Sequence, residues 1–379
     1  MADPFQTAFI YSERYGQFDY GPEHPFRIER LALTYDLCRA YGLLSLPTTR
    51  LVEARDATEE EVAAFHRPDY VDVLRAADRG QAPASVWDYG LGTGDNPIFP
   101  GMYAWSLLTT GASLLAMELV DAGQVRCAFN MAGGLHHAAA ARAAGFCYFN
   151  DAAVIIKHLV RRGRRVAYVD IDAHHGDGVQ FGFYETDQVL TISIHESGES
   201  LFPGTGSVEE VGRARGIGYA ANVPLLPGSD DEIFLWAFDQ VVPPLLAAFR
   251  PDVVVAQLGI DTHQSDPLAH LALTMGGFGE AVRRLKGLCP RWVALGGGGY
   301  NLENVPRGWT LAWAIMNDRE IPDELPPPFL ETFRRMGFRP SRILDDPHVV
   351  DPSVRERAWR FTREQVHRLQ RLVFPHHGI

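Results

Sequence analysis

Runs of consecutive apolar, often β-branched residues punctuate the chain at 125–129, 166–169, 189–194, 253–258 and 292–295. An apolar run without polar alternation marks a strand covered on both faces. Residues 152–162, 231–249 and 278–288, lying between or beside these runs, carry apolar positions at helical spacing. Buried strands separated by helices predict an α/β fold on a mainly parallel sheet. Residues 103–120 are the longest weakly polar stretch. Their Ser, Thr and Gly, with Glu118, point to a packed helix rather than a membrane span. The Gly-rich, irregular segment 198–221 is expected to be a long surface loop. The Pro-rich segment 322–328 reads as a linker to a charged helical tail packed on the same domain.

Composition narrows the class of function. Of the 379 residues, 46% are apolar and 22% charged, which fits a globular protein and excludes a disordered or fibrous one. The net charge of −12 argues against nucleic acid or an anionic membrane as partner and suits a cationic substrate. Cys38, Cys127, Cys147 and Cys289 are widely spaced without a CxxC, so free thiols in a reducing compartment are expected. The first residues lack a basic start followed by an apolar run, so no signal peptide is expected and a cytoplasmic location is.

In open α/β sheets, ligands sit beyond the carboxyl ends of the strands. Four of the expected strand ends carry reactive side chains. The run at 125–129 leads into NMAGGLHH, with His136 and His137. The run at 166–169 leads into DIDAHHGDG, with Asp170, Asp172, His174, His175 and Asp177. The run at 253–258 leads into GIDTHQSDP, with Asp261, His263 and Asp266. The run at 292–295 leads into GGGGYN, ending in Tyr300. At strand spacing Asp170, Asp172 and His174 project to one side. With Asp261 they suit a divalent metal with an open position, which fits catalytic Zn²⁺ and also Mn²⁺ or Fe²⁺. His136 and His137 beside such a metal would form an acid–base pair, with Asp170 and Asp177 as available carboxylate partners. The glycine run lacks the GxGxxG and Lys-Ser/Thr features of a phosphate cradle, so its expected role is a tight turn that aims Tyr300. Phe146 and Phe202, beside glycines at the same rim, could wall a narrow apolar channel. His24, His66, His158, His195, His270, His376 and His377 are read as ordinary structural or surface histidines.

Taken together, GGLHH, GFCYFNDAA, VDIDAHHGDGVQ, TISIH, FPGTG, QLGID…DPLAHL and LGGGGYN resemble the zinc-dependent histone deacetylase family, in order and spacing, from about residue 5 to residue 320. EHPFRIER, YGLGTGDNPIFPGMY and DPLAHL look most like its bacterial acetoin-utilization branch. The resemblance implies the arginase–deacetylase fold: a single α/β domain over residues 1–379, with a central eight-stranded parallel sheet flanked by helices. The core would span about 5–320, with 321–379 as a helical C-terminal extension.

By resemblance, Asp172, His174 and Asp261 hold Zn²⁺, or Fe²⁺ in the cell. His137 is general base and then acid, paired with Asp177. His136, paired with Asp170, orients the water. Tyr300 donates to the substrate carbonyl. Phe146, Phe202 and Gly145 line the acyl-lysine channel, Asp95 holds the substrate backbone at the rim, and Arg30 lines a product-exit cavity. Structural K⁺ is also implied, at Asp170, Asp172, His174, Ser193 and Ile194, and at Phe183, Thr186, Val189 and Tyr219. The expected substrate is an acetylated protein or peptide, with an acyl-CoA synthetase suggested by the branch.

Three rivals are distinguishable. A two-metal ureohydrolase needs GGDH and DxDxxDP patterns, which the chain lacks. A polyamine deacetylase of the same family carries a gate-keeping Glu where this chain, by alignment, has Leu268. A non-catalytic acyl-lysine binder would lack a ligand or the tyrosine, and none is missing.

Overall fold

The computed structural model describes residues 6–346 and 348–379. The five apolar runs become β3 (Cys127–Asn130), β4 (Val166–Asp170), β5 (Val189–Glu196), β7 (Val253–Gln257) and β8 (Trp292–Leu295). Every residue in these five strands is buried, so both faces of the sheet are covered. Three further strands complete it: β1 (Thr7–Tyr11), β2 (Thr49–Glu53) and β6 (Ala220–Leu225). The sheet is eight-stranded and all parallel, in the order β2-β1-β3-β8-β7-β4-β5-β6. The four strands that end in reactive residues, β3, β8, β7 and β4, are therefore neighbours at its centre. The expected α/β fold, with an eight-stranded parallel sheet flanked by helices, is the fold found.

The strands that the apolar pattern does not reveal lie on the flanks. β2 is an edge strand with Arg50, Leu51 and Glu53 exposed, so it lacks the apolar run of a central strand. β6 is the other edge and includes Asn222 and Pro224. A proline is tolerated there because one side of an edge strand needs no ladder hydrogen bond. Residues 220 and 221 thus belong to a strand, not to the loop expected over 198–221, and Val208 within that loop is buried.

Packing explains the helices. Phe9 of β1 and Phe129 of β3 meet Trp313 of helix Val305–Met316, with ring centroids 5.1 and 6.2 Å apart. Burying one such side chain contributes about 1.5–3 kcal/mol. Residues 103–120 form most of helix Met102–Asp121, which packs against β1, β3 and β8 as a core helix. The one helix among the described residues that is long and apolar enough to cross a membrane is Asp231–Phe249. It buries Ile233, Phe234, Phe238 and Val242 and packs on β4 and β5.

Segment 322–328 is not a free linker. Tyr41 donates from its hydroxyl to the carbonyls of Pro322 and Glu324, and Leu325 is buried. Beyond it, helix Pro352–Val373 lies against β6, the arrangement that shields an exposed sheet edge. Asp345, ahead of that helix, reaches the core. Its carboxylate accepts from Met275 N at 2.7 Å and from Arg307 Nη1 at 3.0 Å, and pairs with His263 Nε2 at 2.8 Å.

Asp345→Ala leaves the buried Arg307 guanidinium without the one carboxylate that pairs with it among the described residues. Breaking a buried pair in this way costs about 3–5 kcal/mol. Urea unfolding should show a loss near the lower end, because Arg307 keeps carbonyl partners at Glu303 and Ile343. A midpoint equal to wild type would show that the tail adds nothing to the core's stability.

Candidate active site

β4 ends at Asp170, and the chain then turns so that Asp172 and His174 face Asp261, which follows β7. His174 Nδ1 lies 3.1 Å from Asp172 Oδ1 and 2.9 Å from Asp261 Oδ2. These three side chains form a buried group of facing donor atoms, within 4.8 Å of one another, able to hold a metal ion. The remaining carboxylate oxygens are occupied. Asp172 Oδ2 accepts from Gln257 Nε2 at 2.6 Å and Gly298 N at 2.7 Å, and Asp261 Oδ1 accepts from Ala173 N at 2.8 Å. Each residue thus turns one donor atom inward, and two carboxylates of zero exposure with an imidazole match the ligand chemistry of a divalent ion.

Asp170 is not among those donors, although strand spacing expects it on the same side as Asp172 and His174. The strand ends at Asp170, so the alternation stops there. Its Oδ1 accepts from Asp172 N, and its Oδ2 binds the Tyr168 hydroxyl at 2.6 Å and His136 Nδ1 at 2.8 Å. His137 Nδ1 pairs with Asp177 Oδ1 at 2.7 Å, and the two Nε2 atoms of the histidine pair are 3.0 Å apart. Burial pushes both imidazoles toward neutrality. The charges of Asp170 and Asp172 overcome it at His136, which rises to about 9. Burial and the neighbouring His136 charge lower His137 to about 4, against the pull of Asp177. One member of the pair holds a proton while the other stays open to accept one.

The loop carrying this pair is clamped by the start of helix Asp151–Arg161. Asp151, fully buried, accepts from Gly134 N at 3.1 Å and Leu135 N at 2.9 Å. Asn150 donates to the carbonyls of His136 and Ala138, both at 2.9 Å. Tyr300 is aimed from the other side, its backbone N–H donating to Asp266 Oδ2 at 2.8 Å. Burial, then the charges of Asp261 and Asp172, raise the Tyr300 phenol well above its ordinary value, so it remains a donor. The glycine run does more than turn the chain: a Cβ at Gly298 would lie 1.9 Å from Asp261 Oδ2.

Two aromatic rings flank the approach. Phe202 stands edge-on to His137 at 5.0 Å and Phe146 edge-on to Tyr300 at 5.5 Å between centroids. Beside them Gly145 has φ +51, and a Cβ there would meet His137 Cδ2 at 2.4 Å and Phe202 Cε1 at 2.9 Å, so only a glycine fits against those two rings. Phe146 itself holds φ 68, a left-handed conformation that strains a non-glycine residue. Asp95 is exposed at the outer rim, with its carbonyl accepting from His24 Nε2 at 3.2 Å. Leu268 is half-buried, its N–H donating to Asp266 Oδ1. Arg30 is buried behind Tyr300, donating from Nη1 to Gly299 O at 2.9 Å and stacked 4.1 Å over the Phe26 ring.

Other residues at the strand ends turn away. His175 pairs with Thr205 Oγ1, and its ring lies 4.8 Å from that of His195. His263 pairs with Asp345. Ser193 sits beside Asp170 in strand register, with Ile194 next along β5. Phe183, Thr186, Val189 and Tyr219 lie around the start of β5: Thr186 N donates to Phe183 O, and Tyr219 O accepts from Thr191 N. Sequence reasoning missed Gln257, Asp151 and Asn150. Gln257 closes an apolar run and looks like its polar boundary, and Asn-Asp before a helical pattern looks like an ordinary cap. His24, read as structural, packs its ring 4.7 Å from that of Phe146.

Comparison with known proteins gives a consistent result. Residues 24–316 match the histone deacetylase domain family. The chain is 41% identical over 337 residues to the acetoin utilization protein AcuC of Bacillus subtilis, covering 87% of each chain. It is 37% identical over 324 residues to human histone deacetylase 1, covering 85% of this chain and 66% of that protein. A solved structure of an HDAC homolog from Aquifex aeolicus superimposes with a TM-score of 0.85 at 35% identity, covering 95% of this chain and 100% of that one.

Elemental analysis of protein saturated with Zn²⁺ should find about one ion per chain, the number that one three-donor group accommodates. His174→Ala and Asp261→Ala should each lose it, whereas Asp170→Asn should keep it. Loss of the ion in the Asp170 variant, with the fold intact by circular dichroism, would put that carboxylate back among the donors.

Proposed function

The chain belongs to the histone deacetylase family, in its acetoin-utilization-type branch, and on that premise we propose that it is a metal-dependent lysine deacetylase acting on acetylated proteins or peptides. The observation that carries this reading is convergence. The His137 and Tyr300 rings lie 5.8 and 6.2 Å from that of His174, and Phe202 and Phe146 stand edge-on against them. A flat-walled apolar passage suits the four-methylene stem of a lysine whose charge acylation has removed.

An amide is a poor electrophile, and water is a poor nucleophile at neutral pH. A divalent ion in the Asp172–His174–Asp261 group, Zn²⁺ or in the cell Fe²⁺, supplies the Lewis acid that polarises the carbonyl and acidifies water. His137 accepts the proton of the attacking water at Nε2, its tautomer fixed by Asp177 at Nδ1. His136, held by Asp170, orients that water and tunes the charge around it. Tyr300 donates its hydroxyl to the developing oxyanion, and His137 then gives its proton to the departing lysine amine. Gly145 leaves room for the stem, Asp95 takes the substrate backbone at the rim, Leu268 stands at the mouth, and Arg30 lies on the route for acetate.

Structural K⁺ would be held by Asp170, Asp172, His174, Ser193 and Ile194, and by Phe183, Thr186, Val189 and Tyr219. We place the enzyme in the cytoplasm, with residues 321–379 as part of its single domain. An acyl-CoA synthetase acetylated on lysine is its suggested target.

Tyr300→Phe should lower kcat by about 10²–10³, the usual result of removing one oxyanion donor, while still binding a hydroxamate. His137→Ala should abolish turnover with the metal retained. Near wild-type rates in either variant would remove that residue from the mechanism. Acetate release from an acetyl-lysine peptide, measured beside N-acetylputrescine, tests the reading itself. The peptide should be the better substrate, and preference for the small amine would move the enzyme to polyamine chemistry.

A further inference from the structure

Glu196, the last residue of β5, has a side chain of zero exposure, and no lysine or arginine pairs with it among the described residues. Its donors come from two separate loops. Ser200 donates to Oε1 at 2.9 Å, His270 N–H donates to Oε2 at 2.7 Å, and His270 Nδ1 lies 3.0 Å from Oε1. Ser200 is two residues before Phe202, the ring that leans on His137. His270 is two residues after Leu268, in the segment whose Asp266 holds Tyr300 N. Glu196 N also donates to Ala173 O at 2.8 Å, so the carboxylate is anchored beside the metal-donor turn.

A buried carboxylate must be fully hydrogen-bonded to be tolerated, so its donors are held where they stand. We infer that Glu196 is a positioning residue that ties the Phe202 wall of the passage to the Leu268–Tyr300 side and thereby sets the width offered to the substrate stem. It touches neither the metal donors' side chains nor the reacting atoms. This inference rests on the acyl-lysine reading, because only a substrate with a long stem would sense that width. Without the carboxylate, Ser200 and His270 lose their common acceptor, and each loop keeps only its own ties, Ser200 to Ser197 O and His270 O to Gly228 N. The consequence falls on binding of the stem rather than on chemistry.

Steady-state kinetics of the metal-loaded, full-length protein test this, with an acetyl-lysine peptide and with phenyl acetate, an acetyl ester that has no stem. In Glu196→Ala, KM for the peptide should rise about 5–10-fold with kcat within about 2-fold, the signature of lost binding common to ground and transition states. Phenyl acetate turnover and metal content should match wild type. Glu196→Gln should restore most of the peptide KM: its carbonyl can accept from His270 N–H, and its amide can face Ser200 Oγ and the His270 ring. Should Glu196→Ala fail to fold, Ser200→Ala cuts the same tie on its exposed side and should raise the peptide KM alone, by a smaller factor. An active wild type with unchanged KM in these alanine variants overturns the inference. A fall in kcat for both substrates with loss of metal also overturns it, since Glu196 would then act through the donor turn. A wild type inactive on the peptide overturns the acyl-lysine reading, and this inference with it.

Discussion

Asp170, Asp172 and Asp261 are all wholly buried at the carboxyl ends of two adjacent strands. Each ionised carboxylate taken out of water costs several kcal/mol unless it is matched by cations and hydrogen bonds. The surrounding architecture satisfies that requirement. Backbone N–H groups of residues 172, 173, 174 and 298 fill part of the acceptor capacity, and Tyr168, Gln257 and His136 take more. What remains is one inward-facing donor atom from each of Asp172, His174 and Asp261, close to one another. A metal ion held at that point would balance the charge and supply the site's reactivity, so the stability requirement and the chemistry would coincide.

The same requirement explains why the site sits where it does. Only the central strands β3, β8, β7 and β4 offer rigid ends close enough to bring an imidazole pair, a tyrosine and three donors to one point. Glycines permit the approach. At Gly298 a side chain would overlap Asp261, and at Gly145 it would overlap His137 and Phe202. The supports behind these groups are themselves buried polar residues, such as Asp151 beneath the histidine loop, Asp266 behind Tyr300 and Glu196 between the channel loops. The reacting groups therefore rest on strands and satisfied hydrogen bonds, with little left to flexible side chains.

Much of this is legible in the sequence because the central strands have the strongest apolar runs, and the chemistry follows directly after them. β1, β2 and β6 are not legible in that way. They lie toward the flanks: exposed Leu51 breaks the pattern in β2, and polar Asn222 and Pro224 break it in β6, while β1 is only a short run near the start of the chain. The position of Asp170 depends on the residue at which β4 stops, and period-two alternation carries no such information. Gln257, Asp151 and Glu196 are harder still. A lone acid or amide in a sequence is usually exposed, and only the folded chain shows that each is buried and holds a loop. The family motifs pick out, where spacing leaves it open, Asp172 and Asp261 among four clustered carboxylates, the two that group with His174.

The central claim is that the passage between Phe146 and Phe202 delivers an acyl-lysine to the point shared by His137, Tyr300 and the Asp172–His174–Asp261 group. The most direct measurement is a crystal structure of the metal-loaded Tyr300→Phe variant with an acetyl-lysine peptide. The account predicts the lysine stem between the two phenylalanine rings, with the acetyl carbonyl at the metal and facing residue 300. A peptide bound elsewhere on the molecule, or a metal held by residues other than Asp172, His174 and Asp261, would contradict it.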